Sequence, residues 1–355
     1  MINEFEKLNW EIVHHYESDG GDYIVSRSNK FEIFKSNRLY SFSLPMKHLF
    51  AIPNAFRLAR RLLRLDKSSA VFNFEGDGVS ILYAGNIWFF DLESEEVKKV
   101  DELRQCRNTL HRGMAVSQDG IFFGEYGPNP DRVTVPIWRS TDGGRNWNVI
   151  YEFVAGMTKH IHGIYHDPFT DRYWVATGDF DGECHMLNAN ADFSDVEILG
   201  DGTQKWRPVS MFFDADKVVW AMDSPIDPSL LQVFDRKTKI LTAGTRFPGP
   251  VWYTKSLTDG THLLQSSAEP GPSVISDKAH VYSSRDLLNW EEVYSFKKDI
   301  WPTRYFKYGV VSFADGDQSP QDFVMHGEGL VDFDGRAGKF WFMEDPTVKL
   351  ESDVL

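Results

Sequence analysis

Along most of the chain, apolar and polar positions alternate with a period of two over short runs, separated by clusters of Gly, Asp, Asn and Ser. Residues 10–45 show the pattern most plainly. It predicts four short strands, at residues 10–16, 22–26, 31–35 and 38–44, divided by Ser-Asp-Gly-Gly and Ser-Asn turn signals. The period then changes once. In residues 54–65, NAFRLARRLLRL, leucines and arginines recur at helical spacing directly after Pro53, which predicts an amphipathic helical insertion lying on the fold. Its arginines Arg57, Arg60, Arg61 and Arg64 read as a solvated face, with a partner surface as the alternative. Beyond it, strand patterns resume to the end. Inner strands are expected to begin near Ala70, Met114, Gly163, Val209, Tyr253 and Gly309, each followed by a returning strand such as GVSILYAG, RYWVATGDF or FVMHGE.

Within one strand pair, Ser140-Thr141-Asp142-Gly143-Gly144-Arg145-Asn146-Trp147 reads S-x-D-x-G-x-x-W. The Asp142 carboxylate can turn back to accept backbone N–H groups, the Gly pair supplies positive φ, and Trp147 starts the return strand with a ring to bury between sheets. A shorter copy without the Gly stands at Ser284-Arg285-Asp286-Leu287-Leu288-Asn289-Trp290, with its serine 144 positions on, three times a 48-residue unit. That unit is the size of a four-stranded propeller blade. The motif resembles the Asp-box, or BNR repeat, of sialidase-like β-propellers. With the strand count, the resemblance implies an all-β, seven-bladed propeller of four-stranded antiparallel blades, carrying the helical insertion. No low-complexity linker interrupts the chain, so residues 1–355 read as a single domain. Whether the N-terminal strand or residues 339–343 close the ring is left open.

Composition removes several classes of function. A net charge of −14 argues against nucleic acid or an anionic membrane as the main partner, although one concave site can still be locally basic. No apolar run is long enough to cross a bilayer, and the first residues lack a basic, apolar leader, so a cytoplasmic location is expected. Two cysteines, Cys106 and Cys184, are too few and too far apart for a disulfide framework or a zinc site, and Cys184 reads as a small buried side chain.

In a propeller, the start of each inner strand and the end of the antiparallel second strand lie on one face. Aligning the blades therefore predicts which residues share a mouth. Inner-strand starts bring His111, Arg112, His162, Arg207, Trp252, Tyr253, Lys307 and Tyr308 around the axis. Second-strand ends bring Glu125 with Tyr126, Asp179, Asp223, Glu269, and His326 with Glu328. Carboxylates from one set thus face cations from the other, which is either a ring of ion pairs or the equipment for sugar chemistry. Glu125, Asp179, Asp223 and Glu269 are the acid/base candidates, with His111, His162 and Tyr126 as further catalytic candidates. Arg112 and Arg207 would hold an anionic group bidentately, and Trp252, Tyr253, His326 and Glu328 would complete substrate binding. His160 and His162, two apart on an extended segment, point the same way and could be half of a metal site completed by Asp179 or Glu183. No third ligand is fixed by spacing, so the reading assigns no metal and no other cofactor, and keeps this pair as the alternative.

The expected function is that of a carbohydrate-active enzyme, glycoside hydrolase-like, acting on an acidic oligo- or polysaccharide at the propeller mouth. The sialidase-like resemblance departs at one point: the F/Y-R-I-P motif of sialidases is absent, and Trp206-Arg207-Pro208 is the nearest string. Two rivals stand beside it. One is a polysaccharide lyase, in which His111 or His162, Tyr126 or Tyr253, and Arg207 resemble the roles used by propeller-type lyases. The other is a non-catalytic propeller that binds a glycan or a protein.

Overall fold

The structure is a computed structural model that describes residue 2 and residues 6–343. It folds into seven four-stranded antiparallel sheets, a seven-bladed β-propeller. Blade 1 (residues 12–43) contains the four strands expected at the start of the chain, Ile12–Tyr16, Tyr23–Arg27, Lys30–Lys35 and Arg38–Ser43. Blades 2 to 6 follow in chain order, with inner strands Ser68–Phe72, Met114–Ser117, His160–Asp167, Phe212–Phe213 and Val251–Ser256. Blade 7 is made from Val310–Phe313, Phe323–Glu328 and Arg336–Phe340, and its outermost strand is Glu6–Leu8 from the opposite end of the chain. Glu6, Lys7 and Leu8 pair with Lys339, Gly338 and Ala337, so the N-terminal segment closes the ring.

The core is divided among the blade interfaces. Ile24, Phe31 and Ile33 of blade 1 pack on Val79 and Ile81 of blade 2, and Val13 and Val25 meet Val324 and Ala337 of blade 7. A buried apolar layer of this kind stands at each of the seven junctions. Trp147 lies in the layer between blades 2 and 3, with Leu82, Ile87 and Phe123. Beside it, Asp142 Oδ1 accepts from the backbone N–H groups of Arg145 (3.1 Å) and Asn146 (2.8 Å), while Gly143 and Gly144 take φ of 71° and 101°. The Asp286 turn in blade 6 repeats this, accepting from the Leu288 and Asn289 amides at 2.9 and 2.8 Å, with Leu287 in place of the Gly at φ 65°.

The insertion forms a helix at Arg57–Leu63, preceded by two short 3-10 turns. Its arginines are not a solvated face. Arg60 and Arg61 are 0% and 1% exposed and tie the helix to the propeller: Arg60 pairs with Asp66 and Glu11, Arg61 with Asp299 and Asp334. In this short helix Leu62 is exposed and Leu58 and Leu63 are only half-buried, while the two arginines are its fully buried side chains, so charge does much of the fastening. No helix among the described residues is long and apolar enough to cross a membrane.

Candidate functional site

Seven inner strands converge on the axis, and three of them carry a one-residue bulge near the start: at His14, His162 and Trp252. A bulge re-aims the extra side chain relative to strict alternation. The propeller mouth is built largely around two of these, His162 and Trp252.

From blade 3 round to blade 7, the mouth side chains form a continuous row. Tyr126 packs its ring 4.1 Å from that of His160, tilted by 35°. His160 and His162 each bring Nε2 to 3.3 Å from Asp179 Oδ1, and Lys159 Nζ sits 2.5 Å from Asp179 Oδ2. Arg207 bridges two blades, with Nη2 3.1 Å from Asp179 Oδ1 and 3.2 Å from Asp223 Oδ2. Asp223 Oδ1 accepts from the Trp252 indole N–H at 2.8 Å. Trp252 stands edge-on to Tyr308 at 5.9 Å, and the Tyr308 hydroxyl lies within electrostatic reach of Glu269. Gly178 permits this closeness: a Cβ there would lie 2.9 Å from His162 Cε1 and 3.1 Å from Arg207 Cγ.

Two carboxyls in the row are displaced from their ordinary range. Burial pushes Asp223 and Glu269 each up to about 7, against the pull of Arg207, which lowers both. Burial likewise raises Tyr126 and Tyr308 well above an ordinary phenol, so both keep their protons near neutrality. In blade 7, burial disfavours the charge on Glu328, but Lys67 and Arg57 beside it hold its carboxyl down to about 2.

The rim is cationic although the chain is acidic. Lys159 and Lys67 are paired with Asp179 and Glu328. Arg64, the left-handed C-cap of the inserted helix (φ 61°), is half-buried within electrostatic reach of Glu328, Tyr126 and Tyr308. Lys307 lies within reach of Glu269, Arg64 and Lys159. Among the described residues neither Arg64 nor Lys307 has an acid at ion-pair distance. The sequence alignment counted Lys307 among the axial residues but assigned Arg64 to a solvated face.

Other candidates lie elsewhere. Glu125 is 1% exposed and accepts from the backbone amides of Arg104 (2.8 Å) and Gln105 (2.7 Å) and from the Trp138 indole (3.0 Å). Those donors fasten a loop to blade 3 and occupy its oxygens. Arg112 is turned down the channel: its Nε is 2.6 Å from Asp315 Oδ1, beyond the far end of the Val310–Phe313 strand, and it also donates to the Thr254 carbonyl. There it lines a cavity of about 330 Å³ with Tyr165, His166 and Asp315, away from Arg207. His111 and His326 sit deeper on the axis, their rings 4.8 Å apart, with His14 5.9 Å from His111. Burial lowers His14 to about 3, His111 to about 4 and His326 well below its usual value, so the three remain neutral at physiological pH. Tyr253 packs against this group, 5.6 Å from His111. His14 went unnoticed in the sequence because the blade alignment began at the second blade. Of the two proposed third metal ligands, Asp179 is in place, whereas Glu183 pairs with Arg132 at 2.7 Å. His160, His162 and Asp179 are the residues that could hold a metal ion.

No family model matches the chain, and no curated protein matches it. Solved structures do. Oligogalacturonate lyase from Vibrio parahaemolyticus superposes with a TM-score of 0.56 at 10% identity, over 94% of this chain and 89% of that one. A chain of the mitotic checkpoint complex gives 0.56 at 9%, over 97% and 95%. The extracellular domain of a putative one-component system from B. thetaiotaomicron gives 0.58 at 10%, over 97% of this chain and 40% of that one. Proteins of such different descriptions thus share the architecture. At such identity the likeness concerns the fold alone.

Proposed function

We propose that the protein is a carbohydrate-active enzyme that cleaves a glycosidic bond of an acidic sugar chain at the propeller mouth. The observation that carries this reading is the placing of two nearly buried carboxyls in one mouth, Asp223 held by Arg207 at 3.2 Å and by the Trp252 indole at 2.8 Å, and Glu269 on the neighbouring blade; burial pushes both up to about 7. A carboxylic acid that keeps its proton near neutral pH is what protonating a leaving-group oxygen requires. Glu269, beside Tyr308, is the general acid in this reading, and Asp223, held by Arg207 and the Trp252 indole, is the second carboxyl that gives up its proton to Arg207's pull when the substrate binds. Arg64 and Lys307, without acid partners of their own, take the substrate's anionic group. Trp252 and Tyr126 offer flat apolar faces for sugar rings.

Elimination is the second reading. It is favoured by two tyrosines in the same mouth, Tyr308 on Glu269 and Tyr126 on His160, since a phenol can serve as the proton donor while an imidazole removes the proton beside a uronate carboxylate. The Vibrio parahaemolyticus neighbour is named as an oligogalacturonate lyase, which lends the reading precedent on this fold.

The test is amide substitution in the presence of a cleaved oligosaccharide. Glu269→Gln should lower kcat by at least about 100-fold, the usual contribution of a general acid, with KM nearly unchanged. Asp223→Asn should lower it less. Full turnover in Glu269→Gln would remove Glu269 from the reaction.

A further inference from the structure

We propose that His160, His162 and Asp179 form a site for one divalent first-row transition-metal ion, with its open coordination positions facing the mouth.

The argument starts from hydrogen-bond chemistry on the far side of each ring. His160 Nδ1 is 2.8 Å from the carbonyl oxygen of Gly127, and His162 Nδ1 is 2.8 Å from that of Pro208. A carbonyl only accepts, so Nδ1 carries the hydrogen in both rings. In a neutral imidazole this leaves a bare lone pair on Nε2. Both Nε2 atoms aim at the same Asp179 oxygen, Oδ1, at 3.3 Å. Two lone pairs directed at one carboxylate oxygen require a positive centre among them.

Distance favours an ion over a proton. A charge-assisted N–H···O contact closes to about 2.7–2.9 Å. Ligand atoms about 2.0–2.1 Å from a tetrahedral ion stand roughly 3.3 Å from one another. The two Nε2–Oδ1 edges have that length.

The set is also held in place as ligands usually are. A ligating imidazole commonly donates its second N–H to a backbone carbonyl, which fixes the tautomer and ring orientation. Both rings are nearly fully buried, at 2% and 1% exposure, so they cannot swing away. Asp179 is oriented from its other oxygen by Lys159, and Gly178 leaves room for the His162 ring. Two imidazoles and one carboxylate suit ions from manganese to zinc, whereas magnesium and calcium prefer all-oxygen sets. Arg207 shares Asp179 Oδ1 at 3.1 Å and reaches on to Asp223 Oδ2 at 3.2 Å. The site does not depend on glycan cleavage: it rests on ligand geometry, and its test uses no substrate.

The full chain is stripped with chelator, then titrated with Zn²⁺ by calorimetry and with Co²⁺ by visible absorption. One equivalent should bind. His160→Ala and His162→Ala should each weaken binding by at least about 100-fold, while His166→Ala, whose ring pairs with Asp171 at 2.8 Å, should leave it unchanged. Should the alanine variants fail to fold, zinc K-edge absorption of the wild-type complex decides, with two imidazoles and at least one oxygen expected in the coordination shell. Absence of stoichiometric binding, equal binding in the folded double histidine variant, or a shell lacking two imidazoles would overturn the proposal.

Discussion

Arg61→Ala is the substitution from which most can be calculated. The wild-type side chain is fully buried, donates from Nε to the Phe306 carbonyl at 2.8 Å, pairs through Nη1 with Asp299, and lies 3.7 Å from Asp334. Removing one partner of a buried ion pair costs about 3–5 kcal/mol, because the remaining charge stays buried without compensation. Here both carboxylates keep a second cation: Lys298 stands 2.5 Å from Asp299 and Arg57 stands 2.8 Å from Asp334. The cost therefore falls near the lower limit, about 3 kcal/mol. The Phe306 carbonyl left without its donor adds roughly 1 kcal/mol. For a chain of 355 residues with unfolding entropy of about 2.1 cal/mol/K per residue, that total lowers Tm by roughly 5 °C. Differential scanning calorimetry reads it directly. Leu62→Ala, on the exposed side of the same helix, is the control and should shift Tm by less than about 1 °C. An Arg61→Ala protein melting within 1 °C of wild type would refute the claim that buried ion pairs fasten the insertion.

Further consequences follow from the same geometry. Arg64→Ala removes an unpaired rim cation and should raise KM for an acidic oligosaccharide by roughly 10-fold or more, with kcat unchanged, as loss of a charged hydrogen bond does. Because Asp223 and Glu269 are protonated up to about pH 7 in the folded chain and only to about pH 4 when unfolded, the native state holds extra protons between those values. Stability from these groups is thus greatest at low pH and is lost as pH rises through about 7. Tm measured from pH 5 to pH 8 should fall less in the Asp223→Asn, Glu269→Gln double variant than in wild type, and equal slopes would contradict the shifts. Asp142→Ala deletes the acceptor of the Arg145 and Asn146 amides and should cost about 2 kcal/mol by calorimetry without altering turnover.

How much of this could be read from the chain depends on the range of the interactions. The Asp142 and Asp286 turns were legible because each donor lies within four residues of its acceptor. Their 144-residue separation also placed them correctly, in blades 3 and 6. The row Asp179, Arg207, Asp223, Trp252 and Glu269 followed from the blade period together with strand direction. The bulges did not. A period-two reading places His162 correctly only because the extra residue falls at that position, and nothing in GIYHD or HIHG marks it. Arg60 and Arg61 looked solvent-facing because several of their acids, Glu11, Asp299 and Asp334, are supplied by distant parts of the chain. Glu125 and Arg112 were misplaced for a related reason: equivalent positions in the blade repeat do not share partners, and Glu125 is taken by the amides of a loop about twenty residues before it while Arg112 is taken by Asp315, 203 positions on.

The central claim is best tested by incubating the purified protein with a panel of acidic and neutral oligosaccharides while following reducing ends and ultraviolet absorbance together. The account predicts new reducing ends from an acidic substrate and none from its neutral counterpart. Their appearance without absorbance indicates hydrolysis, and with absorbance, elimination. Binding of the acidic oligosaccharides with no product from any of them would contradict it and leave a propeller that recognises glycans without cutting them.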